Sequence, residues 1–239
     1  MSLEYDYIIA GGGSAGCVLA SRLANKSKDS ICLVEAGGSG KNLFIKMPAG
    51  NGFIFGNPKF DWGYHSVKQA QLNNRKIYFA RGKGLGGTSI VNGMVYIRGV
   101  AQDYDNWRQM GLDGWGYSDL LPYFKYSEGS TNRQNKFHGN QGPLKVEPAR
   151  NFSVLDEAFI KAAVETGHEF LDDFNANKRA GVSRIDSTTY RGVRQSSAIS
   201  YLKKVPKNLK IFTNTRVVKI LFNKNKAVGI QTIDGKKIY

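Results

Sequence analysis

The chain has 239 residues, 41% of them hydrophobic and 22% charged, and a formal net charge of +15. At about 100–200 residues per domain, this length allows one large domain or two small ones, and the ordinary composition excludes global disorder. Its 28 glycines follow no collagen-like period and exceed the usual share of about 7%. We therefore expect glycines at close backbone contacts and at unusual turns.

Several classes of protein are excluded by what the sequence lacks. Two cysteines, Cys17 and Cys32, are too few for a disulfide scaffold or a four-cysteine zinc site, and we expect both to pack as small apolar residues. No apolar run approaches the ~18 residues of a membrane-spanning helix, and the first residues carry acids where a secretory signal is basic. We expect a cytoplasmic protein without a transmembrane segment, with association at the periphery of the inner membrane left open.

Most of the positive charge lies in residues 203–239, which hold ten Lys and Arg and a single Asp. A basic patch of this kind can bind nucleic acid. Here the lysines separate apolar runs that are typical of strands, and no nucleic-acid-binding motif accompanies them. We therefore expect a solvated or partner-facing surface and no nucleic-acid partner.

The first 35 residues predict one βαβ unit. Residues 5–10 (YDYIIA) form a β-branched and aromatic run typical of a buried strand, and residues 30–35 (SICLVE) form a second. Between them, residues 14–25 have the apolar spacing of a helix. This order predicts two parallel strands of an α/β sheet joined by a crossover helix.

The elements predicted farther along the chain are shorter. Residues 37–80 show little periodicity and predict an extended loop region, which in a compact domain indicates a segment over a ligand. Local patterns predict helices over 103–110, 118–127 (with Ser118 as N-cap), 154–166 and 196–203. They also predict strands over 209–213, 216–222 and 227–233, then a turn at Asp234-Gly235 and a last strand over 236–239.

Residues 11–16 (GGGSAG) fit the G-x-G-x-x-G pattern, directly after a predicted strand and at the start of a helix. Gly11 permits the tight turn, Gly13 lets a pyrophosphate approach the backbone, and Gly16 lets helix and strand pack closely. The helix N-terminus offers free N–H groups to the phosphates. Glu35, at the end of the second strand, can accept hydrogen bonds from both ribose hydroxyls, and an acid there disfavours NADP. The pattern serves both NAD and FAD and does not decide between them.

A second glycine-rich segment, residues 81–99 (RGKGLGGTSIVNGMVYIRG), is suited to close contact with a flat or anionic ligand. This segment strongly resembles the first signature of the glucose–methanol–choline (GMC) oxidoreductase family. Further motifs agree with that family: Glu35 to Gly38, Asp61-Trp62, Asp103 to Trp107, Phe137 to Gly139, Gly142-Pro143, Arg191 to Leu202 and Arg216 to Val218. The resemblance covers essentially the whole chain and favours the choline dehydrogenase-like branch.

The resemblance implies an α/β fold, a Rossmann-like FAD-binding domain with an inserted α+β substrate-domain segment. It assigns residues 1–145 to the first part of the FAD-binding domain, 146–190 to the substrate-domain segment, and 191–239 to an incomplete continuation of the FAD-binding domain. The family's catalytic histidine and second signature are expected beyond Tyr239, so the chain resembles the N-terminal portion of a longer enzyme and we expect it to be truncated.

The resemblance also implies a cofactor and its contacts. Val91 stands where some family members attach FAD through a histidine, so we expect FAD to be bound without a covalent bond. The residues expected to hold the pyrophosphate are Gly11, Gly13, Ser14 and Gly16, with Glu35 on the adenosine ribose and the Val217 backbone at the adenine. The residues expected along the pyrophosphate and flavin ring are Gly86, Gly87, Thr88, Asn92, Gly93, Met94 and Val95. His65, His138 and His168 are not expected to act as the base, which needs a pocket and an orienting partner.

The implied activity is oxidation of a small-molecule alcohol, choline-like or another primary alcohol, by hydride transfer to flavin N5. The electron acceptor is not identified. Two interpretations of another kind stay open: a non-catalytic flavin-binding half, and one subunit of a split enzyme whose second chain supplies the missing half. A compact NAD-dependent dehydrogenase is disfavoured by the segment at 81–99.

Overall fold

The computed structural model describes residues 3–150 and 152–239, and the chain divides into two compact units. The first unit comprises Met1–Gly93 and Gly192–Tyr239, and the second comprises Met94–Arg191. In the second unit, two helices precede the strands, and the second of these helices packs against the first strand. The assignment of FAD and substrate to particular segments stays a prediction.

The described residues form seven α-helices: α1 (Ser14–Lys26), α2 (Leu43–Lys46), α3 (Asn51–Ile54), α4 (Ala101–Gln109), α5 (Tyr117–Ser127), α6 (Val154–Glu165) and α7 (Ser197–Tyr201). They also form thirteen strands: β1 (Tyr7–Ala10), β2 (Ile31–Val34), β3 (Tyr64–His65), β4 (Tyr78–Phe79), β5 (Glu128–Ser130), β6 (Leu144–Pro148), β7 (Asp186–Ser187), β8 (Thr189–Tyr190), β9 (Val193–Arg194), β10 (Leu209–Phe212), β11 (Val217–Asn223), β12 (Lys226–Thr232) and β13 (Lys237–Ile238). Over this part of the chain, no helix has both the length and the apolar character needed to cross a membrane.

The first unit is built on a parallel sheet in the order β1-β2-β10. Ile31 of β2 pairs with Tyr7 on one side and with Leu209 on the other. All four residues of β2 are buried, as expected of a central parallel strand covered on both faces. With α1 joining β1 to β2, this sheet confirms the predicted α/β class and its Rossmann-like βαβ unit.

Alternate residues of β2 belong to two different hydrophobic clusters, because successive side chains of a strand point to opposite faces. Ile31 and Leu33 pack in one cluster with Ala20 and Ala24 of α1. The cluster on the opposite face joins β2 to the antiparallel sheet β11-β12-β13 and contains Cys32, Val34, Ile230 and Ile238. The core of the first unit is therefore a three-layer arrangement of helix, parallel sheet and antiparallel sheet.

The segment 37–80 differs from its interpretation as an extended loop, since it contains α2, α3 and the short β3–β4 pair. The Asp61 carboxylate organises part of this segment, accepting hydrogen bonds from the backbone N–H groups of Gly56, Gly63 and Arg81 at 3.0–3.1 Å. Elements of two to four residues are too short to show hydrophobic periodicity, which explains why the sequence pattern did not reveal them.

The second unit contains α4, α5 and α6, with β6 parallel to β5 and antiparallel to β7. The N-cap of α5 is Gly116 and not Ser118 as predicted. The Asp119 carboxylate accepts a hydrogen bond from the Gly116 N–H, and Asp105 accepts from the Tyr117 N–H, so two acids bind the free donors of the first turn.

Candidate functional site

The turn between β1 and α1 has the geometry that its glycines predict. Gly11 has a φ of +103° and donates its N–H to the Val34 carbonyl at 2.8 Å. A Cβ on Gly16 would lie 2.0 Å from the Gly11 carbonyl oxygen, whereas a Cβ on Gly13 would meet no protein atom within 4 Å. Gly16 therefore permits close packing, and Gly13 leaves its backbone open to a ligand.

Glu35 follows β2 and is buried, and its carboxylate fixes the backbone on both sides of the site. Oε2 accepts a hydrogen bond from the Gly12 N–H and Oε1 accepts one from the Gly37 N–H, each at 2.8 Å. Each carboxylate oxygen has a second lone pair, so both can still accept hydrogen bonds from ribose hydroxyls.

The second glycine-rich segment lies directly against the first. Gly86 donates its N–H to the Gly12 carbonyl at 2.8 Å, and Gly87 has a φ of +51°. Gly87 begins a short 3₁₀ turn (Gly87–Ile90), and a Cβ on it would lie 2.7 Å from the Gly13 Cα. The two segments therefore meet through backbone atoms, which only glycine allows at these positions.

A cavity of about 850 Å³ opens where these segments meet, within the first unit. The predicted site residues that line it are Gly11, Gly13, Ser14, Glu35, Gly87, Thr88 and Val217. A β-bulge between Val217 and Lys219 leaves Val218 without a register partner at the same wall. The cavity thus joins the glycine turn, the acid after β2 and the start of β11 in one surface.

The other predicted site residues lie outside this lining. Gly16 and Gly86 support it through backbone packing, as described above. Asn92 and Gly93 belong to the first unit but are not among the lining residues, and Met94 and Val95 belong to the second unit. Their alignment along a flavin ring therefore stays a prediction.

Sequence reasoning assigned no role to the aromatic and cationic residues of the cavity. Trp62 and Tyr64 stack with ring centroids 5.9 Å apart, and the Arg216 guanidinium lies 5.5 Å from the Trp62 ring centroid. Arg81 and Lys219 also line the cavity, where Glu35 is the one acid among the described lining residues. Three cations around one carboxylate suit an anionic ligand such as a pyrophosphate. Asp61-Trp62, Arg81 and Arg216 all lie in family-like motifs, which is the signal that could have identified them.

None of the three histidines, all of which lie in the described part of the chain, lines this cavity. His65 and His168 are exposed, while His138 is buried between the carboxylates of Glu128 and Asp173. Burial also raises the pKa of both the Cys17 and the Cys32 thiol to about 11, so neither is poised as a nucleophile. The cavity is therefore equipped for binding, and no His or Cys among its described residues supplies a base or nucleophile.

The family profile described as GMC oxidoreductase matches residues 5–239. The chain belongs to the GMC oxidoreductase family. An oxygen-dependent choline dehydrogenase of Sinorhizobium fredii is 40% identical over 241 aligned residues, covering 99% of this chain and 43% of that protein. A second one, of Pectobacterium carotovorum subsp. carotovorum, is 42% identical and covers 98% of this chain and 43% of that protein. This GMC chain thus spans less than half the length of the curated relatives that it matches.

Solved structures agree with the family. Pyridoxine 4-oxidase from Mesorbium loti superposes with a TM-score of 0.92 at 32% identity, covering 98% of this chain and 47% of that one. An FAD-dependent oxidoreductase from Chaetomium thermophilum superposes with a TM-score of 0.87 at 31% identity, covering 96% of this chain and 42% of that one. This GMC chain carries the FAD-binding domain of its family, and the cavity described above fits the cofactor in its open glycine backbone, its buried acid and its cations.

Proposed function

We propose that this chain is the cofactor-binding portion of an FAD-dependent enzyme that oxidises the CH–OH group of a choline-like or other primary alcohol. The observation that carries the proposal is the single cavity lined by Gly13, Glu35, Gly87 and Val217 in a chain that matches the GMC family from residue 5 to residue 239. FAD, when bound, accepts a hydride at its N5 atom from the carbon that bears the hydroxyl group.

Different residues of the chain would bind different parts of the cofactor. The open backbone at Gly13 and Ser14, at the N-terminus of α1, would bind the pyrophosphate. Arg81 and Arg216 would balance its charge, and Glu35 would accept hydrogen bonds from the adenosine ribose. No histidine lines the cavity among the described residues, and Glu35 is engaged by the backbone N–H groups of Gly12 and Gly37, so the base for the alcohol proton would come from the part of the relatives that this chain does not span.

Binding is tested by titrating the purified chain with FAD and, separately, with NAD, and following the flavin absorption bands and fluorescence. We expect FAD to bind and NAD not to compete with it. Gly13→Val is the informative variant, because Gly13 lines the cavity and a Cβ added there would meet no protein atom within 4 Å. It should fold normally and lose FAD binding. Gly52→Val, at a position with equally open surroundings outside the cavity lining, should bind FAD like the wild type.

Activity is tested by adding choline to the FAD-loaded chain, alone and together with the complementary C-terminal part of a choline dehydrogenase relative. We expect no flavin reduction by the chain alone and reduction when the second part is present. Binding of NAD in place of FAD would overturn the proposal. Choline oxidation by the chain alone would show that the base lies within it, and failure of the combined parts would favour a non-catalytic flavin-binding role.

A further inference from the structure

Arg194 is fully buried in the first unit and donates hydrogen bonds from all three of its nitrogen atoms. Its Nε donates to the Ile45 carbonyl at 2.9 Å, and its Nη2 donates to Oδ1 of Asn51 at 2.7 Å. Its Nη1 donates to both the carbonyl and the Oδ1 of Asn92, at 2.6 and 2.9 Å. The guanidinium therefore joins residue 194 to two segments distant from it in sequence, residues 45–51 and Asn92.

Every one of these acceptors is neutral. Among the described residues, no carboxylate lies within ion-pair distance of Arg194, whereas the buried Arg98 pairs with Glu128 at 2.8 Å. Burial lowers the pKa of Arg194 to about 10, which still leaves the guanidinium charged at neutral pH. Buried charges are normally paired, because leaving water costs several kcal/mol per ion. The described residues thus satisfy the hydrogen bonds of Arg194 and leave its charge without a protein counter-charge.

The place of Arg194 shows which ligand could supply that charge. Asn92 donates its N–H to the carbonyl of Thr88 at 3.0 Å, and Thr88 lines the cavity. Three residues beyond Arg194, the Ser197 N–H donates to the Ser89 hydroxyl at 2.9 Å. Residues 194–197 thus contact the cofactor segment, defined here as residues 86–92, within its 3₁₀ turn at Ser89 and just beyond that turn at Asn92.

We propose that Arg194 is a positioning residue that holds the cofactor segment in its binding conformation, and that the anionic cofactor balances its charge. This inference rests on the proposed function, since it takes FAD as the ligand of the neighbouring cavity. It assigns to Arg194 an electrostatic role toward FAD that a purely structural arginine would not have.

The Asn51→Asp variant distinguishes an electrostatic role of Arg194 from a purely structural one. It places a carboxylate against Nη2 of Arg194 with almost no change in shape. The hydrogen bond to Arg194 is kept while the charge of Arg194 is neutralised. We expect the FAD dissociation constant to rise at least tenfold and the midpoint potential of the bound flavin to fall, because a positive field stabilises the reduced, more negative flavin. The melting temperature of the cofactor-free protein should stay the same or rise.

Asn57→Asp is the matched control. It adds the same charge in the same region, but Oδ1 of Asn57 accepts from the Lys59 N–H at 3.0 Å and not from Arg194. This variant should keep the affinity and the potential of the wild type. Arg194→Lys, which keeps the charge but not the planar set of donors, should weaken binding and hold the potential near the wild-type value.

If the wild type binds FAD and Asn51→Asp binds it with the same affinity and potential, the inference is wrong and the proposed function stands. An equal loss of FAD affinity in Asn57→Asp would also overturn the inference, since the loss would then come from the added negative charge and not from Arg194. If the wild type binds no FAD, the inference and the proposed function both fail.

Discussion

Gly87 packs against the backbone of Gly13, so that the two glycine-rich segments touch without intervening side chains. A Cβ at position 87 would lie 2.7 Å from the Gly13 Cα, and Gly87 also has a φ of +51°. We expect Gly87→Ala to lower the free energy of unfolding by more than about 2 kcal/mol, through left-handed strain and this contact together. It should also abolish FAD binding.

Gly63→Ala is the control for that prediction. Gly63 has a φ of +64°, but a Cβ there would meet nothing within 4 Å. Urea unfolding of both variants separates conformational strain, about 1 kcal/mol, from the steric contact. Equal stabilities for the two variants would show that the Gly13–Gly87 contact relaxes without cost.

Glu35→Gln should destabilise the protein even before any cofactor binds. A glutamine has one acceptor oxygen, so one of the two N–H donors of Gly12 and Gly37 would face an amide NH₂ group. The expected loss is about 1–3 kcal/mol, measured by urea unfolding of the cofactor-free chain. Glu165→Gln on the exposed side of α6 changes the same charge and should leave stability within about 0.5 kcal/mol of the wild type.

The buried cluster around His138 predicts a loss of stability at alkaline pH. Burial alone would lower the pKa of His138, but the carboxylates of Asp173 and Glu128 outweigh it and raise that pKa to about 9. Because the unfolded value is about 6.5, this stabilisation is complete below pH 6.5 and is lost as the pH rises through 9. The stabilisation by protonated His138 is on the order of 3 kcal/mol.

The measurement is the free energy of unfolding from pH 6 to pH 10. His138→Gln should be less stable at pH 6 and should lack the decline between pH 6.5 and 9. His168→Gln, at an exposed position, should follow the wild-type curve. A wild-type curve that is flat across this window would contradict a charged His138.

Cys17 and Cys32 should be inert toward Ellman's reagent in the folded protein. Burial raises the pKa of each thiol to about 11. The reactive thiolate is therefore about a hundredfold scarcer than at an exposed cysteine, whose pKa is near 9. Both should react at once in urea. An exposed reference thiol, Ala180→Cys, should react rapidly in the native state, and equally rapid reaction of the native wild type would contradict the burial of both residues.

FAD should be released completely by acid precipitation, since Val91 offers no atom for a covalent bond to the flavin. Val91 is also buried with Ile45, Ile54 and Ile90 in a hydrophobic cluster. Flavin fluorescence of the supernatant and of the protein pellet gives the two fractions. Flavin that stays with the pellet and adds to the intact mass would contradict this prediction.

Local patterns in the sequence were sufficient for the fold class. The strand over 5–10, the helix over 14–25 and the glycine spacing of 11–16 are short-range signals, and each corresponds to an element of the structure. The antiparallel strands near the end of the chain were predicted for the same reason, since alternation along one strand identifies a two-faced sheet. The α5 N-cap was wrong by two residues, because Asp105 and Asp119 decide it and Asp105 lies in another helix.

The sequence by itself thus determined the family, the parallel sheet and the glycine turn that lines the cavity, because each depends on neighbouring residues in fixed spacing. Only the tertiary structure decided what surrounds the cavity. The Gly13–Gly87 contact and the pairing of Trp62 with Arg216 join residues far apart in the chain. Arg194 and Asn92 are 102 positions apart, and the lack of a carboxylate beside Arg194 among the described residues depends on every segment packed around it. Burial of a charge depends on the whole fold, and no local sequence pattern predicts it.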